Sequence, residues 1–95
     1  AVPVILDCHA EWCGPCKMLD PILKEGITNL KGKVKLVKLD VDKLPELAQG
    51  LKVTAMPSVF LVHEGKIYDS FVGLPNEQGV KDFLERAEKL ADEKE

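Results

Sequence analysis

The sequence predicts an α/β domain: a small mixed sheet flanked by helices. Three observations carry that reading. Short apolar runs that suit buried strands alternate with segments whose apolar residues recur at helical spacing. Their order is strand–helix–strand–helix and then strand–strand–helix, so a parallel opening half meets an antiparallel closing half. The chain has 95 residues, 45% of them hydrophobic and 31% charged, which suits one domain over residues 1–95 and leaves no room for a second.

Val2 to His9 reads as a buried strand, apolar on both faces, with Pro3 tolerable at its start. After a short loop, Met18, Leu19, Ile22, Leu23, Ile27 and Leu30 follow helical spacing, and Gly32 ends the segment. Pro21 falls inside that helix and removes one backbone bond, which predicts a kink. Val34 to Val41 forms a second strand, and Pro45 opens a short helix through Leu51. Val53-Thr54-Ala55-Met56 leads into Pro57 and a third strand, Ser58 to Val62. A turn at Glu64-Gly65-Lys66 joins it to a fourth strand, Ile67 to Val72, as a hairpin. Asn76 caps a last helix whose inward stripe is Val80, Phe83, Leu84, Ala87 and Leu90, and the tail Asp92-Glu93-Lys94-Glu95 is expected to fray.

Lys and Arg number 13 against 16 Asp and Glu, a formal net charge of −3. That balance argues against nucleic acid as the partner, because neutralising phosphates needs a basic surface. The longest apolar runs, at Val4-Ile5-Leu6 and Val59-Phe60-Leu61-Val62, fall far short of the ~20 residues a membrane helix needs. The start, Ala1-Val2-Pro3-Val4, has no charged n-region and reads directly into a strand, so any targeting peptide is expected to have been removed or to lie outside this sequence.

Three cysteines rule out a pure disulfide framework. As a structural staple, Cys13 and Cys16 would close so short a loop that the bond contributes only ~2 kcal/mol. As a zinc site they lack a second pair, with Cys8, His9 and His63 the remaining candidate ligands. A redox role fits better. A cysteine at the start of a helix faces unpaired N–H groups and the positive end of the dipole, which lowers its pKa, and Lys17 adds a nearby positive charge. Cys13 is then the nucleophile that attacks a substrate disulfide, and Cys16, one turn further in and more buried, resolves the mixed disulfide.

Trp12-Cys13-Gly14-Pro15-Cys16-Lys17 resembles the active-site motif of the thioredoxin family, and the resemblance extends over essentially the whole chain. It implies the thioredoxin fold, here a mixed four-stranded central sheet in the order βαβα-ββα, without the N-terminal strand and helix usual in the family. In the family that strand borders the one assigned to Val34–Val41, so an open apolar edge is expected there. The resemblance makes Asp7 the buried acid beneath the active site, which takes the Cys16 proton, and Lys38 the lysine that tunes it. Met56-Pro57 matches a cis-proline loop facing the cysteines, and Gly65 and Gly73 match glycines of the closing hairpin. The substrate groove it implies is built from Trp12, Gly14, Pro15, Ala55, Met56, Pro57, Val72 and Gly73, with Leu74 beside them. The backbone of Met56 would pair with an extended peptide. The run Asp7-Cys8-His9-Ala10-Glu11-Trp12, with His9 where many members carry tryptophan, is more similar to the mitochondrial branch.

Cys8 reads as a small buried hydrophobe, His9 as a space-filler and His63 as plain surface. The resemblance implies a monomeric thiol–disulfide oxidoreductase that reduces protein disulfides. It binds no cofactor or metal, and thioredoxin reductase, an NADPH-dependent flavoprotein, recharges it. Gly14-Pro15 supports the reducing direction, since oxidising relatives carry histidine where Pro15 stands. The expected compartment is the mitochondrial matrix, with the cytoplasm as the alternative. A second class of function, a docking or chaperone module, would need the groove but has no chemical use for two cysteines and Asp7.

Overall fold

The strand Val4–His9 (β1) is the centre about which the domain is built. Its neighbours are Lys35–Asp40 (β2), parallel, and Ser58–His63 (β3), antiparallel; Lys66–Val72 (β4) lies antiparallel outside β3, giving the order β2-β1-β3-β4. The helices are Gly14–Thr28 (α1), Pro45–Gly50 (α2) and Glu77–Glu93 (α3). These come from a computed structural model, which describes residues 1–93.

Alternation along β1 puts Ile5 and Asp7 on one sheet face and Leu6 and Cys8 on the other. Ile5, Val59 and Leu61 from the sheet meet Leu19, Leu23 and Ile27 of α1 and Val80, Phe83, Ala87 and Leu90 of α3 in one buried cluster. Phe71 of β4 meets Phe83 edge-on, ring centroids 4.9 Å apart, at the margin of that core. Asp7 therefore sits on the face that the two long helices cover.

The boundaries differ from the sequence reading in instructive ways. β1 begins at Val4, not Val2, because Pro3 has no N–H to give; its carbonyl accepts from the Lys35 amide at 3.0 Å and leads into the β1–β2 ladder. α1 stops at Thr28 with Asn29 as its C-cap, and the chain leaves through left-handed Lys31 and Gly32. Pro21 lies within α1 without ending it. Leu51 is the C-cap of α2, not its last residue. The β3–β4 connection is a two-residue turn, Glu64–Gly65, both with positive φ, which matches the twist of the strands and leaves Lys66 in β4. Asn76 caps α3, its Oδ1 accepting from the Gly79 amide at 2.8 Å.

The tail expectation needs correcting: Asp92 and Glu93 belong to α3, and Asp92 pairs with Lys33 at 3.1 Å while Glu88 takes the same ammonium at 3.3 Å. Lys94 and Glu95 lie outside the described residues. The open edge expected at β2 is present, but it is not uniformly apolar. Val37 is exposed there between Lys35 and Lys38, and lysines on an edge oppose pairing with another strand.

Leu23 is fully buried between α1, the sheet and α3. Leu23→Ala is expected to lower the free energy of unfolding by ~2–5 kcal/mol through the cavity it leaves, measured by urea denaturation.

Candidate active site at the start of α1

β1 ends at His9, and four residues later the chain must start a helix. The residue at that junction is Cys13, the N-cap of α1, with an extended backbone (φ −89°, ψ 107°). Its Sγ accepts a hydrogen bond from the Cys16 amide at 3.2 Å, so sulfur does what a Ser or Asp oxygen does at other helix starts. Pro15, in the first turn, gives up no hydrogen bond there and holds helical φ. A Cβ built at Gly14 would meet open space.

Cys13 and Cys16 are joined as a disulfide with their Cα atoms 5.3 Å apart. The expectation that Cys16 is the deeper of the two does not hold: each residue is 4% exposed, because Val41 and Met56 pack against the cluster they form with Ala10. The Met56–Pro57 peptide is cis. Pro57 is buried, and its carbonyl accepts from the Gly73 amide at 2.8 Å, a contact for which Gly73 adopts φ +85°. Val72, next to it, pairs in register with Ser58 and is exposed, as are Ala55 and Leu74. Met56, Pro57, Val72 and Gly73 are thus brought together, with Met56 against the disulfide.

Trp12 makes its hydrogen bond outside that group. It is 69% exposed, and its Nε1 donates to Asp42 Oδ2 at 2.8 Å. The indole is thereby tied to the segment after β2, a contact across 30 residues that nothing local in the sequence announces.

Asp7 is 1% exposed, and its Oδ1 has no hydrogen-bond partner among the described residues. Burial pushes its carboxyl above the ordinary value; His9, then Lys38, pull it back down, and Asp20 adds to the rise. The same burial, with Asp7 beside it, lifts the Cys8 thiol to about 11, so Cys8 stays protonated and inert at neutral pH. Lys38 faces Asp7 across the β1–β2 register, yet its ammonium pairs with Asp20 Oδ1 at 2.6 Å. His9 is half-buried and lines a cleft of about 260 Å³ with Cys16, Lys17, Asp20 and Lys38. It lies on the same face of β1 as Asp7. His63 is no surface residue: it is buried, its Nε2 3.0 Å from the Ala1 carbonyl oxygen.

Sequence reasoning missed Asp20 and Asp42. A signal existed for Asp20, which follows Cys16 by one helical turn on a stripe otherwise made of Cys16, Leu19, Leu23 and Ile27. A carboxylate on an inward stripe is an anomaly. A larger cleft, about 680 Å³ between α1 and α3 and lined by Ile22, Gly26, Leu30 and Leu84 among others, includes none of the candidate site residues.

Comparison with known proteins places this arrangement. The thioredoxin family model matches residues 1–86. The chain belongs to the thioredoxin family. Mitochondrial thioredoxin of Mus musculus is 40% identical over 84 residues, which are 88% of this chain and 51% of that protein. Thioredoxin of Rickettsia felis is 37% identical over 86 residues, 90% of this chain and 82% of its own length. Among solved structures, mitochondrial thioredoxin 3 of Saccharomyces cerevisiae superposes with a TM-score of 0.73 at 38% identity, covering 84% of this chain and 77% of that one. Plasmodium falciparum thioredoxin gives 0.81 at 33% identity, covering 88% and 80%. The chain spans about half the length of the mammalian mitochondrial relatives it matches.

The raised carboxyl in this thioredoxin domain has a consequence for stability. The folded state holds the Asp7 proton more tightly than the unfolded chain does, so stability falls as pH rises from the ordinary value near 3.8 through the folded one. Asp7→Asn removes that penalty. The variant is expected to melt above the parent at about pH 7 and to lose that advantage at about pH 3, as followed by circular dichroism.

Proposed function

We propose that this thioredoxin domain is a protein-disulfide reductant, a thiol–disulfide oxidoreductase. The observation that carries the proposal is a bonded Cys13–Cys16 pair whose first sulfur caps α1, with a buried, raised carboxyl at Asp7 on the adjoining strand.

In the reduced dithiol form the Cys13 thiolate, stabilised by the amide donors of the first turn, attacks one sulfur of a substrate disulfide. A Cys13–substrate bond forms and the other substrate sulfur leaves as a thiolate. Asp7, as carboxylate, takes the Cys16 proton, and the Cys16 thiolate attacks Cys13 Sγ. The mixed disulfide breaks, the second substrate thiolate departs, and two electrons have passed to the substrate. The Cys13–Cys16 disulfide that remains is the state of the structure.

Exposed Trp12, Gly14, Pro15 and Ala55, together with Met56, Pro57, Val72 and Gly73, form the proposed substrate groove, into which an extended peptide would pair along the backbone at Met56. The Asp7 acid/base role and the Lys38 tuning role belong to the same proposal. Thioredoxin reductase, an NADPH-dependent flavoprotein, would return the two electrons to a monomeric domain that binds no cofactor of its own. The compartment we favour is the mitochondrial matrix, supported by the mitochondrial relatives and by His9. The docking-module alternative is not favoured, because it leaves the sulfur pair without a use.

Cys13→Ser is expected to reduce insulin disulfide cleavage to the dithiothreitol background, while Cys16→Ser accumulates a mixed disulfide visible by mass spectrometry. Equilibration in graded dithiothreitol buffers should give a reduction potential below that of the glutathione pool. Full activity in Cys13→Ser, or a potential as oxidising as that of secretory-pathway relatives, overturns the assignment.

A further inference from the structure

Among the charged residues that line the cleft beside Cys16, Asp20 has no part in the proposed chemistry. Asp20 lies one turn beyond Cys16 on the inward stripe of α1, and it holds two ammonium groups: Lys38 from β2 at 2.6 Å and Lys24 from its own helix at 3.1 Å. The contact with the Lys38 ammonium does most to hold the Asp20 carboxyl below the ordinary range.

We propose that Asp20 is a positioning residue: it holds the Lys38 ammonium in an ion pair on the α1 side of the cleft and so keeps Asp7 a proton acceptor instead of one arm of a salt bridge.

The register makes the competition between the two carboxylates concrete. Asp7 and Lys38 are Cα partners on adjacent parallel strands, so their side chains leave the sheet on the same face. That face is the one α1 covers, and Asp20 meets the ammonium there. Among the described residues no ion pair joins Lys38 to Asp7, and Asp7 Oδ1 goes without a hydrogen bond. The charged and titratable groups around Asp7 are few. His9 and Cys8 lie on its own strand, Lys38 on β2, and Asp20 on α1 with Lys24 paired to it; Glu11, Cys16 and Lys17 line the same cleft, and the β3 partner is the uncharged Val59. Of the cations, only Lys38 is opposite Asp7 on a neighbouring strand.

The Asp20–Lys38 pair is partly solvated, with 23% and 36% side-chain exposure, so it contributes little to stability. Its effect is placement. With Asp20 neutralised, the ammonium is free to swing across the strand pair to Asp7. A carboxylate fixed by an ammonium takes a proton less readily.

The functional meaning of this inference rests on the reductant reading, but its measurement does not, because Asp7 can be titrated in the oxidised protein. The experiment is carboxyl ¹³C NMR of Asp7 across pH in the parent, D20N, K38M and D20N/K38M. The Asp7 midpoint should fall in D20N and rise in K38M. The fall caused by D20N should be at least about twice as large with Lys38 present as without it, the signature of action through the lysine. No fall in D20N, or an equal fall in both backgrounds, overturns the inference; the second result would mean direct charge repulsion alone. Asp20→Ser serves as a second variant with the same expected outcomes. Insulin reduction followed across pH in the same four proteins separates the two readings. If the NMR midpoints move as stated and the acid limb of the rate does not follow, the placement role of Asp20 stands and the base role of Asp7 falls.

Discussion

One hydrogen bond joins the fold to the chemistry: the Cys16 amide donating to Cys13 Sγ at the start of α1. Every helix begins with amides that have no partner, and α1 satisfies one of them with the sulfur. The helix that covers Ile5, Val59 and Leu61 and completes the core with α3 thus begins at the reactive atom. A sulfur at this cap position sits where partial positive charge gathers, so the feature that starts the helix also favours the thiolate once the disulfide is opened. Met56 and Val41 close over the pair from the side.

The second constraint is a cost. Asp7 belongs to the central strand and lies among groups that solvate it poorly, with one oxygen unbonded. Apolar packing from β1, α1 and α3 carries that carboxyl; nothing in the local ladder compensates it. A group held at such a disadvantage takes up a proton readily, the property required of the proposed base for the Cys16 thiol on α1, the next element along the chain. Structure and reactivity here draw on the same burial, in opposite directions.

Much of this was readable from the residues. The alternation of apolar runs gave the seven elements in order, because strand and helix periodicities are local properties. Asn76 as a cap and Glu64-Gly65 as a turn were legible for the same reason: their chemistry acts within three residues. Cys13 at a helix start followed from the spacing to the apolar stripe that begins beyond it. What escaped was long in sequence and short in space. Asp42 holds Trp12 across 30 residues, and Lys33 reaches α3 across 55 to Glu88. Asp92 pairs with Lys33, just as remote in sequence, so the charged tail carries no local sign that it continues α3. The resemblance associates Lys38 with Asp7, and the two are partners in the β1–β2 register, but the contact of Lys38 with Asp20 depends on how α1 is rolled, which no strand pattern states.

The edge strand gives the lysine arrangement a wider meaning. Among the described residues β2 lies at the edge of the sheet, and its exposed Val37 is the kind of position at which another strand could pair. Lys35 and Lys38 are the guards against such stacking, since each copy would have to bring like charges together. Lys38, however, is already spoken for by Asp20, and a neutralised guard repels less. The resistance of this edge to self-association therefore leans on Lys35, while the other ammonium is drawn inward to Asp20 on α1.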